Sequence, residues 1–128
     1  MIDHVSIAVR DLAQSTKLYE EMLAALGYAK LAVLPHTVGF GKTYPEFWLN
    51  LRPQVQPAAA DTGSHVCLRA PSEEAVSAFH AEALAQGGVS AGEPGPRQAA
   101  MTNYFGAFIR DLDGNKIEAV SFPRGGKA

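Results

Sequence analysis

The sequence predicts an α+β fold built from two tandem βαβββ modules, and three observations predict it. First, Asp3-His4-Val5-Ser6-Ile7-Ala8-Val9-Arg10-Asp11-Leu12 reads as a strand running into a helix start. The stretch Ser64-His65-Val66-Cys67-Leu68-Arg69-Ala70-Pro71-Ser72 repeats that pattern near mid-chain. Second, sliding one half onto the other by the His4-to-His65 interval also pairs Phe79 with Leu18 and Gly88 with Gly27. A strand, a helix and a closing glycine that recur in register mark an internal repeat. Third, Asp113-Gly114 between two strand-like runs is the strongest short hairpin signal in the chain. We therefore expect one domain over 1–122, with a first module at 1–52, a linker at 53–62 and a second module at 63–122. Residues 123–128 read as a frayed tail.

In the first module, Val5, Ile7 and Val9 alternate with His4, Ser6, Ala8 and Arg10, so one face packs on a helix and the other suits a cavity wall. Asp11 is a good helix cap, with Gln14 completing something like a capping box. Leu12, Thr16, Tyr19, Leu23 and Leu26 then keep helical spacing, and Gly27 stops the helix. Strands follow at Tyr28–Leu34, Thr37–Gly41 and Glu46–Arg52. The stretch Pro53–Thr62 has no period and joins the modules.

In the second module, Val66, Leu68 and Ala70 should face a helix, and His65, Cys67 and Arg69 the cavity. Ser72 caps the helix, Glu73 and Glu74 suit its dipole, and Val76, Phe79 and Ala83 form its apolar stripe. Gly87-Gly88 ends it. A short strand at about Val89–Ala91 leads into a mobile loop at Glu93–Asn103, rich in proline, glycine and small residues. The hairpin Tyr104–Asp111 and Asn115–Phe122 closes the module.

A chain of 128 residues with charged residues at 19% is an ordinary globular domain. Its net charge of −2 gives no attraction to nucleic acid or to an anionic membrane. With Cys67 as the single cysteine no internal disulfide can form, and no basic and apolar leader precedes His4, so a cytoplasmic setting is expected.

Glu118 stands in the last strand between Ile117 and Ala119, where a carboxylate needs a cation or hydrogen bonds. His4, His65 and Glu118 make a set of two histidines and one carboxylate. Those donors suit Fe, Mn, Ni, Co or Zn as a divalent ion and leave positions open for substrate. Hydrogen-bonded strand histidines and an exposed glutamate are the plainer alternative.

These motifs, with Leu26-Gly27-Tyr28 and Asp111-Leu112-Asp113-Gly114-Asn115-Lys116-Ile117-Glu118, resemble the vicinal oxygen chelate superfamily. That superfamily includes glyoxalase I, extradiol dioxygenases, fosfomycin-resistance enzymes and bleomycin-binding proteins. The resemblance spans residues 1 to about 122. It implies that each module curls into a half-shell, that two half-shells enclose a cleft, and that His4, His65 and Glu118 occupy three of four metal positions. It also implies a homodimer, in which the two halves of a cleft often come from different chains. At the fourth position, where glyoxalase I carries a glutamate, this chain aligns Trp48; a slip of two residues would place Asn50 there, and Glu46 has the same parity. Indole offers only an N–H donor, so Trp48 cannot serve as a metal-bound base, which argues against lactoylglutathione lyase activity. The three retained positions resemble the extradiol dioxygenase set, and His36, Tyr104 and His80 are the available acid–base groups.

The resemblance implies a metal-dependent lyase-like, isomerase-like or dioxygenase-like enzyme acting on a small oxygen-bearing substrate. The alternative is a metal-free protein that sequesters an aromatic or drug-like ligand, as bleomycin-resistance relatives do. Trp48, Asn50, Arg52, Cys67, Arg69 and Tyr104 are the candidate substrate-binding residues. For Cys67 a small buried hydrophobe is the competing role, for Arg52 and Arg69 a solvated strand end, and for Trp48 and Tyr104 plain core.

Overall fold

The structure is a computed structural model and describes residues 1–123. The expected tail at 123–128 therefore lies outside the described residues except for Pro123. Elements run β1 (Val5–Val9), α1 (Leu12–Ala24), β2 (Ala29–Val33), β3 (Thr37–Gly41) and β4 (Pro45–Leu51). The second set is β5 (Val66–Arg69), α2 (Glu73–Ala85), β6 (Val89–Gln98), β7 (Asn103–Arg110) and β8 (Lys116–Ser121). Each set folds into a four-stranded sheet, ordered β1-β4-β3-β2 and β5-β8-β7-β6. In both, the first strand pairs parallel with the last and the remaining pairs are antiparallel. The repeat read from the sequence is thus a repeat of topology.

The two helices start and stop as their sequences dictate. Asp11 accepts from the Gln14 N–H at 3.0 Å, and Ser72 accepts from the Ala75 N–H at 3.1 Å. Gly27 and Gly87 take positive φ of 89° and 100° just past the helix ends, a conformation that a side chain would strain. The apolar stripes meet the sheets and each other. Leu18, Tyr19, Met22 and Leu23 of α1 and Val76, Phe79 and Ala83 of α2 are fully buried with Leu49, Ile109 and Ile117. Each such large apolar side chain contributes roughly 1.5–3 kcal/mol. No helix among the described residues is long and apolar enough to cross a membrane.

The stretch Glu93–Asn103 corrects the sequence reading. It is not a mobile loop: β6 continues to Gln98, and only the residues between Gln98 and Asn103 remain as a connection. Two register shifts, between Ser90 and Gly92 and between Gly92 and Gly95, absorb the irregular residues. β6 is an edge strand, so Pro94 and Pro96 sacrifice few ladder hydrogen bonds. Arg97 then satisfies the carbonyls of Glu93, Gly95 and Pro96 at 2.6, 3.1 and 3.3 Å.

A polar clasp ties the modules together at the Asp113-Gly114 hairpin. Asp113 Oδ1 accepts from the Arg10 backbone N–H at 3.1 Å and from Arg10 Nε at 2.7 Å. Asn115 Nδ2 donates to the Ala8 carbonyl at 3.1 Å, and the Tyr19 hydroxyl donates to Asp111 Oδ2 at 2.6 Å. Asp111 also accepts from the backbone N–H groups of Asp113 and Asn115, both at 2.9 Å. The linker is pinned to the same hairpin, since the Ala58 N–H donates to the Asp113 carbonyl at 2.9 Å.

Candidate functional site

Glu118 organises the second sheet. Its carboxylate is only 4% exposed on β8, beside Cys67 on β5 and Phe108 on β7 in the strand register. His65, one residue before β5, places Nε2 at 2.9 Å from Glu118 Oε1. Tyr104 of β7 donates its hydroxyl to Glu118 Oε2 at 3.1 Å. Both carboxylate oxygens are therefore held, as a buried charge requires. Strand alternation brings these groups to one face: residues 104, 106 and 108 share a side of β7, and 116, 118 and 120 share a side of β8.

Gly106 makes room for the pair. A Cβ there would sit 2.9 Å from the Tyr104 ring and 3.4 Å from Glu118 Oε2. The His65 and Phe108 rings lie 5.6 Å apart, tilted, which fixes the imidazole plane. Loss of hydration, followed by the Glu118 carboxylate, pushes the Cys67 thiol up to about 12, so it stays protonated and is a poor nucleophile. Loss of hydration and Glu118 also raise the Tyr104 phenol, which keeps it a hydrogen-bond donor.

The other sequence-predicted residues lie apart from this cluster. The His4 side chain, 54% exposed just before β1, has Nδ1 at 2.9 Å from Asp3 Oδ1. His4, His65 and Cys67 do line one cavity of about 360 Å³, whose apolar wall includes Phe40, Phe47 and Leu68. Trp48 is half-buried on β4, across Gly39, where a Cβ would meet its ring at 2.8 Å. Asn50 Oδ1 accepts from Thr37 Oγ1 at 2.8 Å. Arg52 is exposed and donates to the Leu51 carbonyl at 2.8 Å. Arg69 lies 5.2 Å from the centre of the Phe122 ring. His36 is exposed, while His80 is buried on α2 with Nε2 at 2.8 Å from Ser90 Oγ.

His65 and Glu118 present a nitrogen and an oxygen donor from neighbouring strands, the mixed chemistry that divalent first-row metals accept. That much fits a metal. Among the described residues no group of three or more His, Cys, Asp and Glu side chains stands together at ligand spacing. Sequence reasoning missed Gly106 and Phe108. Counting back from Glu118 across the Asp113-Gly114 hairpin would have put Phe108 opposite it.

The family model for the Glyoxalase/Bleomycin resistance protein/Dioxygenase superfamily matches residues 1–119. The chain belongs to this superfamily. Its fold is shared by a glyoxalase/bleomycin resistance protein from Albidiferax ferrireducens T118, which is 34% identical with a TM-score of 0.82, covering 92% of this chain and 96% of that one. A virulence protein from Salmonella typhimurium is 25% identical with a TM-score of 0.61, covering 96% and 97%. A genomically encoded fosfomycin resistance protein from Listeria monocytogenes shares the fold at 15% identity and a TM-score of 0.66, covering 98% and 95%. No curated protein matches the chain by sequence. Superfamily membership spans metalloenzymes and resistance proteins, so the reaction has to be argued from the site.

Proposed function

We propose that the chain is a metal-dependent enzyme acting on a small oxygen-bearing substrate, with His65 and Glu118 as two ligands of a divalent metal. The observation that carries the reading is the buried Glu118 carboxylate, with His65 Nε2 at 2.9 Å from one of its oxygens. His4, exposed and bonded to its neighbour Asp3, is offered as the third ligand by a second copy of the chain. When bound, the metal supplies Lewis acidity to vicinal substrate oxygens. Tyr104 orients Glu118 through its hydroxyl, and Gly106 admits both groups to the same face. The protonated Cys67 walls the site without competing as a thiolate, and suits a cytoplasmic, reducing setting.

The test is metal content of the wild-type protein and of His4→Ala and Glu118→Ala, each loaded anaerobically with Fe, Mn, Ni, Co and Zn. About one metal per chain is expected in the wild type and much less in either variant. Co-refolding the two variants should restore binding to one site per mixed dimer. A wild-type protein that stays metal-free under every loading condition ends the metal reading.

A second reading is favoured by a specific observation. Both Glu118 oxygens already have partners in His65 and Tyr104, and the apolar cavity of about 360 Å³ is large enough for part of an aromatic ligand. A metal-free sequestering module would bind such a ligand with His4→Ala and Glu118→Ala as well as with the wild type.

A further inference from the structure

We propose that Arg110 and Lys116 form an anion seat beside His65, and that the ligand of this protein carries a carboxylate, phosphate or phosphonate group there. The inference names the substrate class for the site proposed above and rests on that reading only for the word substrate. The seat itself stands on separate residues.

Arg110 and Lys116 are direct register partners across the β7–β8 hairpin. Like charges placed opposite each other on an antiparallel pair repel, which is costly unless something negative lies between or beside them. Among the described residues neither one pairs with a carboxylate. Among the described residues the Lys116 ammonium makes no hydrogen bond, and it rests 4.8 Å from the centre of the Phe108 ring. Arg110 spends Nη1 on the Gly114 carbonyl at 3.2 Å and Nη2 on the Ala60 carbonyl, which leaves N–H donors over. The Ala60 bond ties the linker to the hairpin, and the two bonds together fix the guanidinium.

The register extends the row. Val66 pairs with Ile117, so one step back His65 stands beside Lys116. His65, just ahead of β5, thus lies in line with Lys116 of β8 and Arg110 of β7, on the same sheet face as Glu118. Thr62 and Ser64 complete the surroundings with hydroxyl groups. A hollow of about 110 Å³ is lined by these residues with Asp61 and Gly63. An adjoining hollow of about 150 Å³ shares Thr62, Ser64, His65, Arg110 and Lys116. Asp61 is the carboxylate that lines the first hollow, and its Oδ1 accepts from the Gly63 N–H at 3.2 Å. Fixed cations flanked by hydroxyl donors recognise oxyanions.

The seat also stands at a fixed distance from Glu118. Lys116 and Glu118 are two residues apart on β8, which spans about 7 Å along a strand. A ligand anchored by its anionic group at Arg110 and Lys116 therefore reaches the Glu118 row with atoms about 7 Å from that group. That geometry selects anionic molecules that carry a second polar group about 7 Å from the charge.

The experiment uses inorganic phosphate as probe on the full-length, metal-free, nitrogen-15-labelled protein. Amide shifts of Gly63, Ser64 and Lys116 are followed against sodium chloride at matched ionic strength. Saturable, phosphate-specific shifts are expected. Lys116→Gln should weaken binding about tenfold or more, because it removes one charge-assisted contact. Lys17→Gln, on the exposed face of α1, should leave it unchanged. Phosphate shifts no larger than those of chloride overturn the proposal, as does an equal loss in both variants. Metal content of Lys116→Gln, measured in parallel, should equal that of the wild type. A protein that binds phosphate here but never holds metal keeps the seat and loses the metal reading.

Discussion

The hydrogen bond between Tyr19 and Asp111 offers the sharpest test of how the two modules are held. Tyr19 is fully buried on α1, and its hydroxyl donates to Asp111 Oδ2 at 2.6 Å in the second module. Tyr19→Phe deletes the donor and keeps the ring, which stacks at 5.3 Å on Phe47. A buried hydrogen bond to a charged group contributes about 1.5–3 kcal/mol. Asp111 Oδ2 keeps the Asn115 Nδ2 donor at 3.0 Å and is not orphaned, so the lower half of that range applies. The expected loss is about 1.5–2 kcal/mol, with an unchanged denaturant slope. Urea unfolding followed by the fluorescence of Trp48, the single tryptophan, gives the value directly. The pH profile supplies an independent check. Burial, then the Asp111 charge, raises the Tyr19 phenol well above its ordinary 10.0. The native state therefore keeps a proton that the unfolded chain loses, so this stability is full below pH 10 and declines as pH rises toward the folded value. Tyr19→Phe should lack that alkaline decline. A change under about 0.5 kcal/mol at neutral pH would refute the reasoning, since a surface contact would cost no more.

Asp111 should show the opposite of ordinary carboxylate behaviour. Burial raises it above 3.8 despite its hydrogen bonds from Tyr19, Asn115 and the backbone. The native state therefore binds the proton more tightly than the unfolded chain. Its contribution is greatest below pH 3.8 and is lost as pH rises through the folded value, so the stability of wild type relative to Asp111→Asn should fall over that window. Gly106→Ala should cost about 1–3 kcal/mol in chemical unfolding and weaken metal retention, because the new methyl group meets the Tyr104 ring at 2.9 Å. Arg97→Ala should speed amide hydrogen exchange across β6 while leaving β8 protected, because it frees the carbonyls of Glu93, Gly95 and Pro96 at the sheet edge. Uniform exchange in both strands would show that Arg97 does not brace the edge.

The alternation of Val5, Ile7 and Val9, the caps at Asp11 and Ser72, the stopping glycines and the Asp113-Gly114 turn are local signals. Each acts within a few residues, through side-chain period, one N–H or one positive φ, so the sequence by itself determined the two modules and their element order. Strand parity also put His65 in line with Cys67 and set Glu118 among apolar neighbours in the last strand, because parity follows directly from counting. The run Glu93–Asn103 was illegible for the same reason. Prolines and glycines lower local strand preference, and only pairing with β7 through two register shifts makes Val89–Gln98 a strand. Contacts between residues far apart in sequence belong to the tertiary structure alone. Folding decided that Tyr104 reaches Glu118 beside Gly106, and that Arg10 and Tyr19 reach across to Asp113 and Asp111. It also set the β5–β8 register that brings His65 beside the Lys116–Arg110 pair, which counting across the Asp113-Gly114 turn already gives. Such pairs depend on sheet register and on how one module docks against the other, and neither leaves a period in the sequence.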